Sequence, residues 1–146
     1  MLVEMLPEQV ADGWKLLEKV IKEGLPPFAD KSNDKMNNIL MSILTRKMIC
    51  WVSYQNQEKV EVDTVVLTSV IVDEISGTRN LLIYCINALK VMEAKVYEDA
   101  VDKMTKYARS MKCSKIIGYL ADEQLIDLVE KYNGDCSYRL MTFDLE

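Results

Sequence analysis

Proton transfer in this chain falls to carboxylates, thiols and phenols, because there is no histidine. Glu61 and Asp63 are the first candidates for a base acting through water. They alternate with Val60, Val62 and Thr64, so the plainer reading of both is the wet face of a strand. Asp73 and Glu74 come next, at the approach to a turn at Ser76-Gly77-Thr78. Cys85 is a nucleophile only by residue type: no imidazole exists to activate it, and its apolar surroundings read as core.

A second kind of chemistry, phosphate binding, is set by glycine placement. An apolar run, Leu81-Leu82-Ile83-Tyr84-Cys85-Ile86, feeds a long helical pattern, and a strand feeding a helix N-terminus is a place where backbone amides grip phosphates. Glycine lets such a ligand approach the backbone, yet none of the five glycines lies between Gly77 and Gly118.

The four cysteines, Cys50, Cys85, Cys113 and Cys136, stand alone in their segments without a CxxC pair, so a metal site is not expected. They read as buried free thiols in a reducing, cytosolic-type compartment. A net charge of −5 argues against nonspecific nucleic-acid binding, and Lys103, Lys106, Arg109, Lys112 and Lys115 read as a solvated face. No apolar run reaches the roughly 18 residues of a membrane span, which predicts a soluble protein without a membrane partner.

These residues need elements to hold them. A short strand over 1–5 is followed by a helix from Pro7 to a stop at Gly24, with Val10, Trp14, Leu17, Val20 and Ile21 on one face. Ser32 or Asn33 caps a second helix with Met36, Ile39, Leu40 and Ile43 inward. Three strand-rich segments, 48–54, 60–72 and 80–86, joined at 55–58 and 76–78, predict an antiparallel meander. A long amphipathic helix carries Tyr97, Val101, Met104 and Ala108 inward and ends near Met111; a strand follows over 113–120. Asp122 caps a last helix that stops at Asn133-Gly134, and residues 136–145 read as a final strand. The order β-α-α-β-β-β-α-β-α-β predicts one α/β (α+β) domain over 1–146.

Within that order, Ala108-Arg109-Ser110-Met111-Lys112-Cys113 resembles the A-x-x-x-G-C lead into the fifth strand of GNAT-type N-acetyltransferases. Glu130-Lys131-Tyr132-Asn133-Gly134 resembles the E-K-x-G-F end of their last helix. The Trp14 helix, the Leu25-Pro26-Pro27 stop and the 48–51 strand resemble small GNAT-like proteins of tailed bacteriophages. The resemblance implies a GNAT-like mixed sheet and an acetyl-CoA site. The family's R/Q-x-x-G-x-G/A phosphate segment falls on residues 92–97, where Met92, Lys95 and Tyr97 replace its characteristic residues and Glu93 and Glu98 add negative charge. The tyrosine acid of the family falls on Val129, and Tyr132 reads as core. With those departures, the resemblance implies a phage-type protein without a cofactor, binding a phage or host protein in the host cytoplasm or in a virion, with oligomers allowed. The alternative is a divergent acetyl-CoA-dependent N-acyltransferase using Glu61 or Asp63 as base and Lys90 and Lys95 at the diphosphate.

Overall fold

The computed structural model describes residues 1–54, 62–89 and 93–145. The element order is β1 (Leu2–Glu4), α1 (Pro7–Asp12), α2 (Trp14–Gly24), α3 (Asn33–Leu44), β2 (Ile49–Tyr54), β3 (Val62–Val72), β4 (Arg79–Ala88), α4 (Ala94–Ser110), β5 (Lys115–Gly118) and α5 (Glu123–Lys131). The five strands form one mixed sheet in the order β1-β2-β3-β4-β5, antiparallel except for the parallel β4–β5 pair.

Local chemistry explains most boundaries. Ser32 caps α3 through Lys35 N, and Asp122 caps α5 through Gln124 N at 2.8 Å. The helix expected over 7–24 is broken at Gly13, which ends α1 while its N–H still donates to Gln9 O. Apolar periodicity runs across that break, so the sequence pattern does not register it. The hairpin between β3 and β4 closes on Gly77 at φ +73°, with Asp73 accepting from Ile75 N and Ser76 Oγ. The turn expected at 55–58 lies outside the described residues.

Two apolar layers sandwich the sheet. On one face, Val10, Leu17, Ile21, Met36 and Ile43 of the first three helices pack on Cys50, Val52, Val65, Leu67 and Cys85. On the other, Met104 and Ala108 of α4 pack on Leu2, Trp51, Val66 and Leu81. Trp51 turns its indole N–H to Thr68 Oγ1 at 2.9 Å and its ring edge to Tyr107. Lys103, expected on a solvated face, instead donates to Leu2 O and, with Asp99 accepting from Leu2 N, holds β1 against α4.

One expected element is missing. Among the described residues there is no strand over 136–145; the segment leaves α5 and pairs with nothing. No helix among the described residues is long and apolar enough to cross a membrane.

Candidate functional site

β4 and β5 are paired only from Asn80↔Lys115 to Ile83↔Gly118. β5 stops there, while β4 runs on to Ala88 beside β3. The second half of β4 is therefore left without a β5 neighbour, and a wedge opens between the two parallel strands. Close packing at its apex is visible at Gly118, where a Cβ would stand 3.2 Å from Ile83 Cβ and 3.3 Å from its carbonyl oxygen.

Aromatic rings line the apex. Phe28, from the loop after α2, sits edge-on to Tyr119 at 5.0 Å and to Tyr84 at 6.1 Å between centroids. Tyr84 and Tyr119 are the first residues beyond the last β4–β5 pair. Burial, with Cys85 and Tyr119 nearby, holds the Tyr84 phenol above its ordinary range, so it stays protonated at neutral pH. Sequence reading missed this cluster because its members come from three distant segments that meet only once the strands pair.

The wedge's outer end is the start of α4. No hydrogen bond among the described residues takes the amides of Ala94, Lys95 and Val96, and the N-cap residue Glu93 does not cap them with its side chain. Lys95 is exposed and forms no ion pair among the described residues, so a cation stands beside open donors. Tyr97 is engaged with α5, its ring 5.3 Å from that of Tyr132. Tyr132, expected in the core, is 37% exposed and donates a hydrogen bond to Glu98. That bond holds the Tyr132 phenol above its usual range and occupies the carboxylate expected to repel a phosphate. Lys90 and Met92 lie outside the described residues.

Of the two candidate bases, Glu61 lies outside the described residues. Asp63 is not on a wet face: it is 4% exposed, and its Oδ1 has no hydrogen-bond partner among the described residues. Its backbone carbonyl accepts from Leu89 N at 2.7 Å, which fixes it where β4 ends and the chain turns toward α4. A buried carboxylate oxygen without a partner costs several kcal/mol at order of magnitude, a burden most intelligible where a ligand or substrate completes the set. Asp73 and Glu74 sit far away, at the β3–β4 hairpin. Cys85 is buried, its thiol pushed up to about 12 by that burial, which removes it as a nucleophile.

A cavity of about 440 Å³ lies at the opposite end of the sheet, lined by Arg46, Lys47, Thr68, Arg79 and Tyr107 among others. Its arginines are already engaged: Arg46 bridges Glu4 at 2.7 Å and Arg79 donates to Met111 O. No metal-binding group of His, Cys, Asp and Glu occurs among the described residues.

No protein-family model matches the chain, and no curated protein matches its sequence. Solved structures do match over its whole length. A putative acetyl transferase from Pyrococcus furiosus superposes with a TM-score of 0.69 at 13% identity, covering 99% of each chain. A predicted acetyltransferase from Clostridium acetobutylicum, solved with acetyl-CoA, gives 0.69 at 11% identity over 99% of this chain and 95% of that one. Ribosomal-protein-alanine N-acetyltransferase from Brucella melitensis biovar Abortus 2308 gives 0.67 at 11% identity over 99% of each. These matches overturn the expectation of a protein without a cofactor, since the folds it shares are those of acetyltransferases and one of them was solved with acetyl-CoA. Nothing in them links the chain to bacteriophage proteins. With a parallel pair that parts at Ile83 and Gly118 and a helix opening beside the gap, the chain has the GNAT fold.

Proposed function

We propose that the chain is an acetyl-CoA-dependent N-acyltransferase that transfers an acyl group to an amine. The observation that carries this reading is the wedge between β4 and β5, which opens toward the N-terminus of α4, where the Glu93 side chain makes no cap. The residues fit the cofactor in the way that matters most. The amides of Ala94, Lys95 and Val96, without an acceptor among the described residues, and the Lys95 ammonium offer a diphosphate both hydrogen bonds and charge. Glu93 opposes it, but Glu98 is turned to Tyr132. The helix-end field is worth about 0.3–1 kcal/mol to an exposed anion, so Lys95 supplies the larger share of the attraction. When bound, acetyl-CoA supplies an activated thioester carbonyl.

The chain's own residues supply proton management. Asp63, at the start of β3 beside the end of β4, holds a carboxylate oxygen without a partner among the described residues and takes the proton of the incoming amine through water. Tyr119 and Tyr84 present phenols at the apex, and Tyr119, 37% exposed, is the accessible proton donor for a departing thiolate. The aromatic edges of Phe28, Tyr84 and Tyr119 exclude water from the apex.

The test is calorimetric titration of acetyl-CoA and CoA into the purified protein, followed by thiol release against a panel of amines. Micromolar binding with amine-dependent CoA release supports the reading. No heat up to millimolar acetyl-CoA removes it.

A further inference from the structure

We propose that the cavity between the end of α4 and the start of β4 binds a small organic anion, an acid group carried on an apolar body. The residue that points to a ligand is Thr68. It lines this cavity of about 440 Å³, it is 1% exposed, and its Oγ1 accepts from Trp51 Nε1. The hydroxyl proton is left without an acceptor among the described residues, a buried donor that a bound oxygen would complete. Tyr107 lines the same space, and its phenol has no hydrogen-bond partner among the described residues. Burial, with Glu4 adding to it, holds that phenol above its ordinary range, so it too is a donor at neutral pH.

Positive charge surrounds these donors. Arg79 gives its Nε–H and an Nη2–H to one neutral acceptor, Met111 O, so among the described residues no carboxylate matches its charge, and further N–H groups remain. Lys47 is exposed and makes no ion pair among the described residues, while Ser69 Oγ donates to its carbonyl at 3.0 Å and ties it to β3. Arg46 holds φ 62°, a left-handed position that glycine fills without strain, so a cation stands there against backbone preference. The carboxylate that acts on this end, Glu4, is bridged to Arg46, and no acidic residue lines the cavity among the described residues. Three cations around one cavity, in a chain of net charge −5, select an anion. Ile49, Val70 and Met111 supply an apolar wall, and the volume falls within the about 300–1,000 Å³ of small-molecule pockets. The 17 residues of α4 separate this place from the amides of Ala94 by about 25 Å. This inference does not depend on acetyl transfer.

The probe is anilinonaphthalene sulfonate, an acid on an apolar body whose fluorescence rises when it leaves water. Titrated into the purified full chain, it should bind saturably at one site. Octanoate should displace it, while octylamine and acetate at the same concentration should not. Lys47→Glu should weaken the probe about tenfold, as the loss of a charge-assisted contact does. Tyr107→Phe keeps the ring against Trp51 and should weaken it several-fold through the lost donor. Lys19→Glu, the same charge change on the exposed face of α2, should leave the affinity as it is. No saturable binding overturns the inference, as does binding that both cavity variants leave unchanged. Displacement by octylamine as readily as by octanoate overturns it, and so does competitive displacement by acetyl-CoA, which would place the probe in the wedge.

Discussion

Gly24, the last residue of α2, lies against Ile86 of β4 so closely that a Cβ would stand 3.1 Å from the Ile86 carbonyl oxygen. The same Cβ would be 3.0 Å from Cys85 Sγ and Asn87 Cβ, and Asn87 Nδ2 donates to Val20 O on the same helix. Helix α2 is thus the backing of the half of β4 that β5 leaves unsupported, and the wedge depends on a helix pressed to backbone contact.

Gly24→Ala should therefore cost more than its gain in helix propensity. Overpacking against backbone, which cannot rotate away, costs about 1–3 kcal/mol. The expected readout is a lower melting temperature together with weaker acetyl-CoA binding, since the strand that moves is the wedge wall. An unchanged melting temperature would show that α2 and β4 separate freely.

Asp63 separates function from stability. Its Oδ1 is buried without a partner, so Asp63→Asn removes a desolvated charge while keeping the shape. Stability should hold or rise, within about 1 kcal/mol. Turnover should fall by about 10²-fold, the low end of general base contributions, with the affinity for acetyl-CoA preserved. A variant that loses stability and keeps its kcat would make Asp63 a structural residue.

At the other end of the wedge, Lys95→Glu reverses the charge beside the open amides of α4. A charge-assisted contact to phosphate is worth about 1.5–3 kcal/mol, so the acetyl-CoA affinity should drop about tenfold or more. The drop should shrink at high salt, because Lys95 is exposed. The melting temperature should barely change. Equal affinities for the two proteins would place the diphosphate elsewhere.

Much of this architecture is legible in the sequence because each element carries its own period and its own stop. Asp122, Ser32 and Asn133 sit where capping chemistry puts them, and the parallel β4–β5 pair follows from a strand-helix-strand order. What the sequence conceals is decided between segments. Asp63 alternates with apolar neighbours as a solvated residue would, yet in the fold it is 4% exposed, with Leu89 N bonded to its carbonyl. Tyr132 lies on the apolar stripe of α5, but its last turn projects past the core to Glu98. Phe28, Tyr84 and Tyr119 have no local signature as a group. Residues 136–145 have full strand character and no strand partner among the described residues, so composition alone overstates what folds there.

The cysteines allow a last prediction, about alkaline pH. Cys50 and Cys85 are buried among the helices of the first layer, and burial pushes both thiols up to about 12, with Cys85 adding to the effect on Cys50. Cys113 and Cys136 are partly exposed. A disulfide-exchange reagent at neutral pH should therefore label Cys113 and Cys136 quickly, and Cys50 and Cys85 only as fast as the protein opens. The same shifts fix the sign of a stability effect. A thiol whose folded pKa is raised keeps its proton in the native state after the unfolded chain has lost it. The contribution is complete below the ordinary thiol pKa of 9.0 and disappears as pH climbs toward about 12. Denaturant midpoints should fall across that window, and the fall should be smaller in Cys85→Ala, whose absolute stability at neutral pH is lower. If all four thiols react at one rate in the native protein, the layer holding Cys50 and Cys85 is open to solvent and the alkaline loss should vanish with it.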